Sequence, residues 1–153
     1  MIDISGFGLT GHVIASQTFP AGFEVSAFAD DLDPLDSAEL EVAEATFGLN
    51  GDMVTWSRPN GIEITLGVIP NSPDDLNLEV LLEANRAAKG KTLAFDIVNI
   101  VVTYPNGQLV TLNQGKILRG RPVNQVVSAG RIASKPYMFR FENVSKSNPT
   151  PAA

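Results

Sequence analysis

A chain of 153 residues suits one domain with an adequate core, and 44% apolar with 18% charged residues is ordinary for a globular protein. There are 0 cysteines, which excludes disulfides, thiolate metal sites and cysteine nucleophiles. The net charge of −6 and pI near 4.6 argue against tight wrapping of nucleic acid, because neutralising phosphates needs clustered Lys and Arg.

Met1-Ile2-Asp3-Ile4-Ser5 has neither the basic start nor the apolar run of a cleaved signal. No segment approaches the roughly 18 apolar residues of a membrane span, so neither signal-led export nor membrane insertion by this chain is expected. Gly6-Phe7-Gly8-Leu9-Thr10-Gly11 matches the dinucleotide fingerprint G-x-G-x-x-G only formally. That motif needs a strand before it and a helix N-terminus after it to hold a pyrophosphate. Five residues precede it and His12–Phe19 reads as a strand, so a flexible glycine-rich arm over about residues 1–11 is the better account.

Phe23 to Asp30 alternates apolar and polar positions, as a half-buried strand does. Asp30-Asp31-Leu32-Asp33-Pro34-Leu35-Asp36-Ser37 follows as an acidic loop that lacks the Asp spacing, central Gly and distal Glu of an EF-hand. Glu39 to Phe47 is read as a strand from its alternation and flanking turn signals, although Ala, Glu and Leu favour helix. Asn50-Gly51, Asn60-Gly61 and Asn106-Gly107 are three hairpin signals between β-rich runs.

Ile62–Ile69 reads as a strand that stops at Pro70-Asn71, and a helix follows from Pro73 to about Lys89. Ser72 caps its free amides, Pro73 sits where a missing N–H costs nothing, Asp74 and Asp75 meet the positive end of the dipole, and Lys89-Gly90-Lys91 closes the other end. Asp75, Glu79, Glu83 and Arg86 fall on one narrow stripe, while Leu and Ala residues cover roughly two-thirds of the girth. Such a helix is covered on more than one side, either by a neighbouring subunit or by the sheets of its own domain.

Leu93–Tyr104 is almost continuously apolar, as in a central strand, and Gln108–Leu118 pairs with it. After a turn at Arg121-Pro122, Val123–Ser128 reads as a short strand; a final strand carries Tyr137, Phe139 and Phe141 on one face. The polar tail, residues 146–153, is expected to be disordered. The fold class is therefore mainly β: a two-sheet β-sandwich or partly closed barrel with one flanking α-helix, in a single domain over residues 1–145.

No catalytic constellation emerges, so the chain is read as a non-enzyme. His12 is the only histidine and would sit in a mobile glycine-rich segment where no neighbour fixes its tautomer. The acids fall mainly on strand faces and in turns, where solvation is the default. Trp56 reads as a core or interface anchor before a sugar platform. No cofactor or metal site is expected.

Phe23–Asp30, the acidic strand after it, Asn60–Leu66, Ile69-Pro70-Asn71-Ser72-Pro73-Asp74-Asp75-Leu76 and Leu81-Leu82-Glu83-Ala84-Asn85 together resemble the tail tube proteins of contractile-tailed bacteriophages, over roughly Phe23–Val144. The resemblance implies two packed β-sheets with a flanking helix, a fold shared with the haemolysin-coregulated protein of type VI secretion. It further implies hexameric rings stacked into a tube through which DNA passes without specific binding. Sheath, baseplate and tail terminator proteins would be partners, and the location would be the virion tail, assembled in the host cytoplasm.

On that reading Glu24, Ser26, Glu39 and Glu41 are lumen-facing candidates, since carboxylates on a channel wall repel phosphate. Leu78, Leu81, Leu82 and Trp56 are subunit-interface candidates. Asp31, Asp33, Asp36, Leu49 and Asn50 are candidates for loops between rings. The alternatives are a baseplate or tail-completion ring, the tube of a secretion apparatus, and a monomeric carbohydrate-binding β-sandwich using Trp56 and the Asp30–Asp36 loop.

Overall fold

The structure, a computed structural model, describes Ile2 and residues 4–147. In chain order the strands are β1 (Thr10–Ala15), β2 (Phe19–Val25), β3 (Leu35–Ser37), β4 (Ala43–Phe47), β5 (Met53–Ser57), β6 (Ile62–Val68), β7 (Val98–Thr103), β8 (Leu109–Arg119) and β9 (Lys135–Ser147), with helix α1 (Pro73–Ala84) after β6. Seven of them form one antiparallel sheet in the order β2-β1-β7-β8-β9-β6-β3, and β4 and β5 pair apart from it.

The large sheet curls around its own apolar face. The chain leaving β2 at one edge meets β6 near the other, where Phe28 bridges Val68 and Ala29 N–H donates to Gly67 O at 2.9 Å. The barrel is not closed, because β2 and β3 remain unpaired with each other. The result is the expected mainly-β, sandwich-like body with a flanking helix.

Strand alternation supplies the core: Val13 and Ala15, Leu66 and Val68, Val98 and Ile100, and Tyr137, Phe139 and Phe141 are all buried on the inner face. Along β8 the phase changes, with Val110 and Leu112 inward before Gln114 and Gly115 and Ile117 inward after it. Gln114 is the extra residue of a bulge; its φ is 56° and its N–H donates to Asn99 Oδ1 at 3.0 Å. At Gly115 a Cβ would stand 2.2 Å from the Phe141 ring, so only glycine fits.

Helix α1 starts as its sequence predicts, with Ser72 Oγ accepting from Asp75 N–H at 3.2 Å and Pro73 in the first turn. It ends at Ala84, not near Lys89. Asn85 leaves the helical conformation, its side chain donating to Leu81 O and to Asp96 while accepting from Asp96 N–H. Gly90, with φ of 75°, belongs to a separate turn.

Several boundaries differ from the sequence reading for tertiary reasons. His12–Phe19 is not one strand: the chain turns at Ser16–Thr18, where Asp96 accepts from the N–H groups of Gln17 and Thr18 at 2.7 and 2.9 Å. The Phe23–Asp30 strand is Phe19–Val25, because Asp74 draws the N–H groups of Ser26 and Ala27 out of the ladder, each at 2.8 Å. Glu39–Phe47 is strand only from Ala43. Asn60-Gly61 joins β5 to β6, which lie in different sheets, and is not a hairpin. Val123–Ser128 contributes one bridge, Val126 to Ile132. Of the tail expected to be disordered, Lys146 and Ser147 belong to β9; residues 148–153 lie outside the described residues.

Candidate functional site

The most conspicuous surface is the β4–β5 hairpin. Five register pairs from Ala43–Ser57 to Phe47–Met53 build it, and Gly48 N–H to Asp52 O (2.8 Å) with Gly51 N–H to Gly48 O (3.0 Å) closes its tip. Every β5 residue is exposed, including Val54 and Trp56, and so are Phe47 and Leu49, the last at 103%. An isolated two-stranded hairpin is marginal in water and rarely carries so much apolar surface. The N-terminal arm adds Ile2, Ile4 and Phe7, each more than nine-tenths exposed.

The lumen candidates do not come together within one chain. Glu24 lies on edge strand β2 opposite His12, and Ser26 follows β2 with its N–H held by Asp74. Glu39 and Glu41 lie between β3 and β4, beyond the other edge, and are on no strand. The outer face of the sheet carries both signs: Glu63, Arg140 and Lys116 sit in register across β6, β9 and β8. Charge is instead segregated along the chain, since all 11 Lys and Arg lie at or after Arg58.

The interface candidates divide. Leu78 and Leu81 are 0% exposed in the core of their own chain, so they cannot meet a neighbouring subunit; Leu82 packs partly buried against the same core. The exposed apolar residues of the helix are Leu76 and Val80. Trp56 is exposed on the hairpin, not a core anchor, and the hairpin lies apart from the β3 sheet that Asp30–Asp36 flanks. Among the inter-ring candidates Asp31, Asp33, Leu49 and Asn50 are exposed in loops, while Asp36 is exposed on β3. Asp30 is committed to Arg131 at 3.0 Å, and that bidentate contact lowers its pKa.

Sequence reasoning missed the carboxylates that fasten the fold. Asp75 is fully buried, accepts from Asn71 N–H at 2.9 Å and Tyr137 O–H at 2.7 Å, and lies 3.3 Å from the buried Lys135 Nζ. Glu79 closes on the same ammonium. Burial and the neighbouring Asp75 push the Tyr137 hydroxyl far above its usual range, so it stays a donor. At Asp96 burial alone would raise the pKa, but hydrogen bonds from Thr18, Asn85 and Gln17 outweigh it and hold it low. Glu83 is held at about 2 by the Arg86 guanidinium. A signal was present for Asp75 and Glu79: acids on a helix whose other faces are Leu-rich need partners if that helix is sunk into a core.

The geometry leaves apolar side chains of the hairpin and of the N-terminal arm exposed. His12 is half-buried on β1, not in a mobile arm, and Gly22 leaves room for its ring. Among the described residues no three His, Asp or Glu side chains are placed to share a metal ion, and no helix is long and apolar enough to cross a membrane. Residues 2–145 match the family model described as tail fiber protein gp32. The chain belongs to that family.

Solved structures extend the likeness of this gp32-family chain at the level of fold. A chain of the anti-feeding prophage baseplate matches with TM-score 0.57 and 14% identity, covering 97% of each chain. A chain of the sheath/tube terminator of an extracellular contractile injection system, PVC, matches with TM-score 0.61 and 9% identity over 96% of this chain and 98% of that one. A chain of the cap that terminates the anti-feeding prophage tube matches with TM-score 0.51 and 11% identity, over 97% and 93%. No curated protein matches the gp32-family chain.

Proposed function

We propose that this chain is a non-catalytic structural subunit of a phage tail, packing with copies of itself into rings of the tail tube. The observation that carries the reading is the β4–β5 hairpin: an ordered pair of strands with Phe47, Leu49, Val54 and Trp56 uncovered. Fully burying one such Leu or Phe side chain is worth about 1.5–3 kcal/mol, so a hairpin covered by a neighbour contributes heavily to association. The sheet's open edges, β2 and β3, support the same reading, since joining copies edge to edge removes both and closes a larger barrel.

Gp32-family membership supports a tail component, and the likeness to baseplate and tube-terminating chains favours a second version of the role: a ring at an end of the tube. In either version sheath, baseplate and terminator proteins are neighbours, the chain resides in the virion tail, and DNA transits without specific binding. Glu24 and the register row Glu63–Arg140–Lys116 then belong to a channel wall of mixed sign, not a purely acidic one.

Negative-stain microscopy and sedimentation test the reading. Rings or stacked rings are expected from the purified chain, and a compact 16.3 kDa particle at every concentration would refute it. Phe47→Asp with Leu49→Asp is expected to abolish the rings with unchanged circular dichroism, because neither side chain touches the core.

A further inference from the structure

We infer that the hairpin tip of one copy seats in an apolar socket at one end of the next copy's sheet, a contact that rests on the assembly reading above and names its receptor. The socket is a hollow of about 360 Å³ whose wall includes Leu35, Leu40, Ile62, Tyr104, Leu112 and Val144. It lies where β7 turns into β8 and β6 begins, the end of the sheet away from the β6–α1 connection. A second hollow of about 670 Å³, beneath Phe7 and Leu9 of the arm, shares Leu35 and Tyr104 with it.

Three observations choose the occupant. The tip is pre-formed, held by the Gly48–Asp52 and Gly51–Gly48 hydrogen bonds, so Phe47, Leu49 and Met53 dock with little loss of backbone freedom. Its one charge is Asp52, and the socket's wall carries Lys146, paired across the ladder with Val110 and in no ion pair among the described residues. A chain cannot fill its own socket: Ala38 and Leu40 line it and lead straight into β4, whose five residues carry the tip about 17 Å away. Tip and socket are different patches, so the contact is heterologous and repeats into a ring or a filament.

With no native cysteine, introduced pairs report the contact cleanly. Leu49→Cys with Ala38→Cys, oxidised after assembly, is expected to give a ladder of linked chains, because a disulfide needs Cα atoms within about 7 Å; neither single variant should link. Assembled particles without a ladder, or a ladder only when Ile4→Cys replaces Leu49→Cys, would overturn the hairpin as occupant while leaving assembly standing. Lys146→Glu is expected to weaken assembly about two- to five-fold and Asp52→Lys in the same chain to restore it; failure of the restoration would overturn the charge pairing. Monomers under all conditions would overturn this contact together with the assembly reading.

Discussion

Replacing Asp75 by Asn tests whether the buried cluster at the start of α1 holds the fold. The carboxylate and the Lys135 ammonium are both 0% exposed and 3.3 Å apart, so neutralising one leaves the other uncompensated, a loss of about 3–5 kcal/mol. Glu79 remains beside Lys135 with a side chain 37% exposed, which places the expected cost at the lower end, about 3 kcal/mol. For a chain of this size that lowers Tm by about 6–12 °C. The half-exposed Glu79→Gln should cost only about 1 kcal/mol. Asp75→Asn combined with Lys135→Met should recover part of the loss, because a buried pair removed together leaves no orphan charge. Urea denaturation at a concentration where sedimentation gives a monomer, so that mass action does not add stability, measures all three. A cost for Asp75→Asn no larger than for Glu79→Gln, or a double variant less stable than the single one, would refute the reasoning.

Asp96→Asn should cost about 1.5–3 kcal/mol at neutral pH, since its hydrogen bonds from Thr18, Gln17 and Asn85 are charge-assisted. Because the folded pKa of Asp96 is depressed, its contribution is complete above the unfolded value near 3.9 and fades as pH falls through the folded one; acid titration of stability below about pH 4 should be shallower in the variant. Leu81→Ala should destabilise by about 2–5 kcal/mol, whereas Val80→Ala on the exposed side of the same helix should stay within about 0.5 kcal/mol, both read from thermal melts. Gly115→Ala, which drives a methyl into the Phe141 ring, should cost about 1–3 kcal/mol in urea titration, while Gly51→Ala, with open space around it, reports only the strain of its positive φ.

What was legible in the sequence was what local chemistry decides. The Ser72-Pro73 helix start, the turns at Asn50-Gly51 and Asn106-Gly107, and the inward row Tyr137-Phe139-Phe141 all follow from residues a few positions apart. The turn at Ser16–Thr18 has no such signature, because its N–H groups are satisfied by Asp96, which is 78 residues beyond Thr18. The helix stop at Asn85 is set by the same carboxylate, overriding the good helix formers that follow. Periodicity places Asp75 and Glu79 on the charged stripe of the helix but does not say what that stripe meets; Lys135, on the inner face of β9, is the partner that takes it into the protein. Of the two covers the sequence leaves open for the helix, a neighbour or its own sheet, Leu78 and Leu81 meet their own sheet. Leu49 is exposed in a loop, as its Asn50-Gly51 neighbours suggest, whereas the exposure of Trp56 follows from the separation of β4 and β5 from the large sheet, which no local pattern encodes.

The hairpin stands outside the body that gives the chain its stability. Its exposed apolar residues can therefore change without disturbing the hydrophobic interior, and the interior can form without them. The cost is borne during synthesis, when each newly folded copy displays Phe47, Leu49 and Trp56 to everything around it. Residues 30–52 contain no Lys or Arg, and the carboxylates among them that are left without an ion pair among the described residues, such as Asp31, Asp33, Asp36 and Asp52, supply like-charge repulsion between such copies.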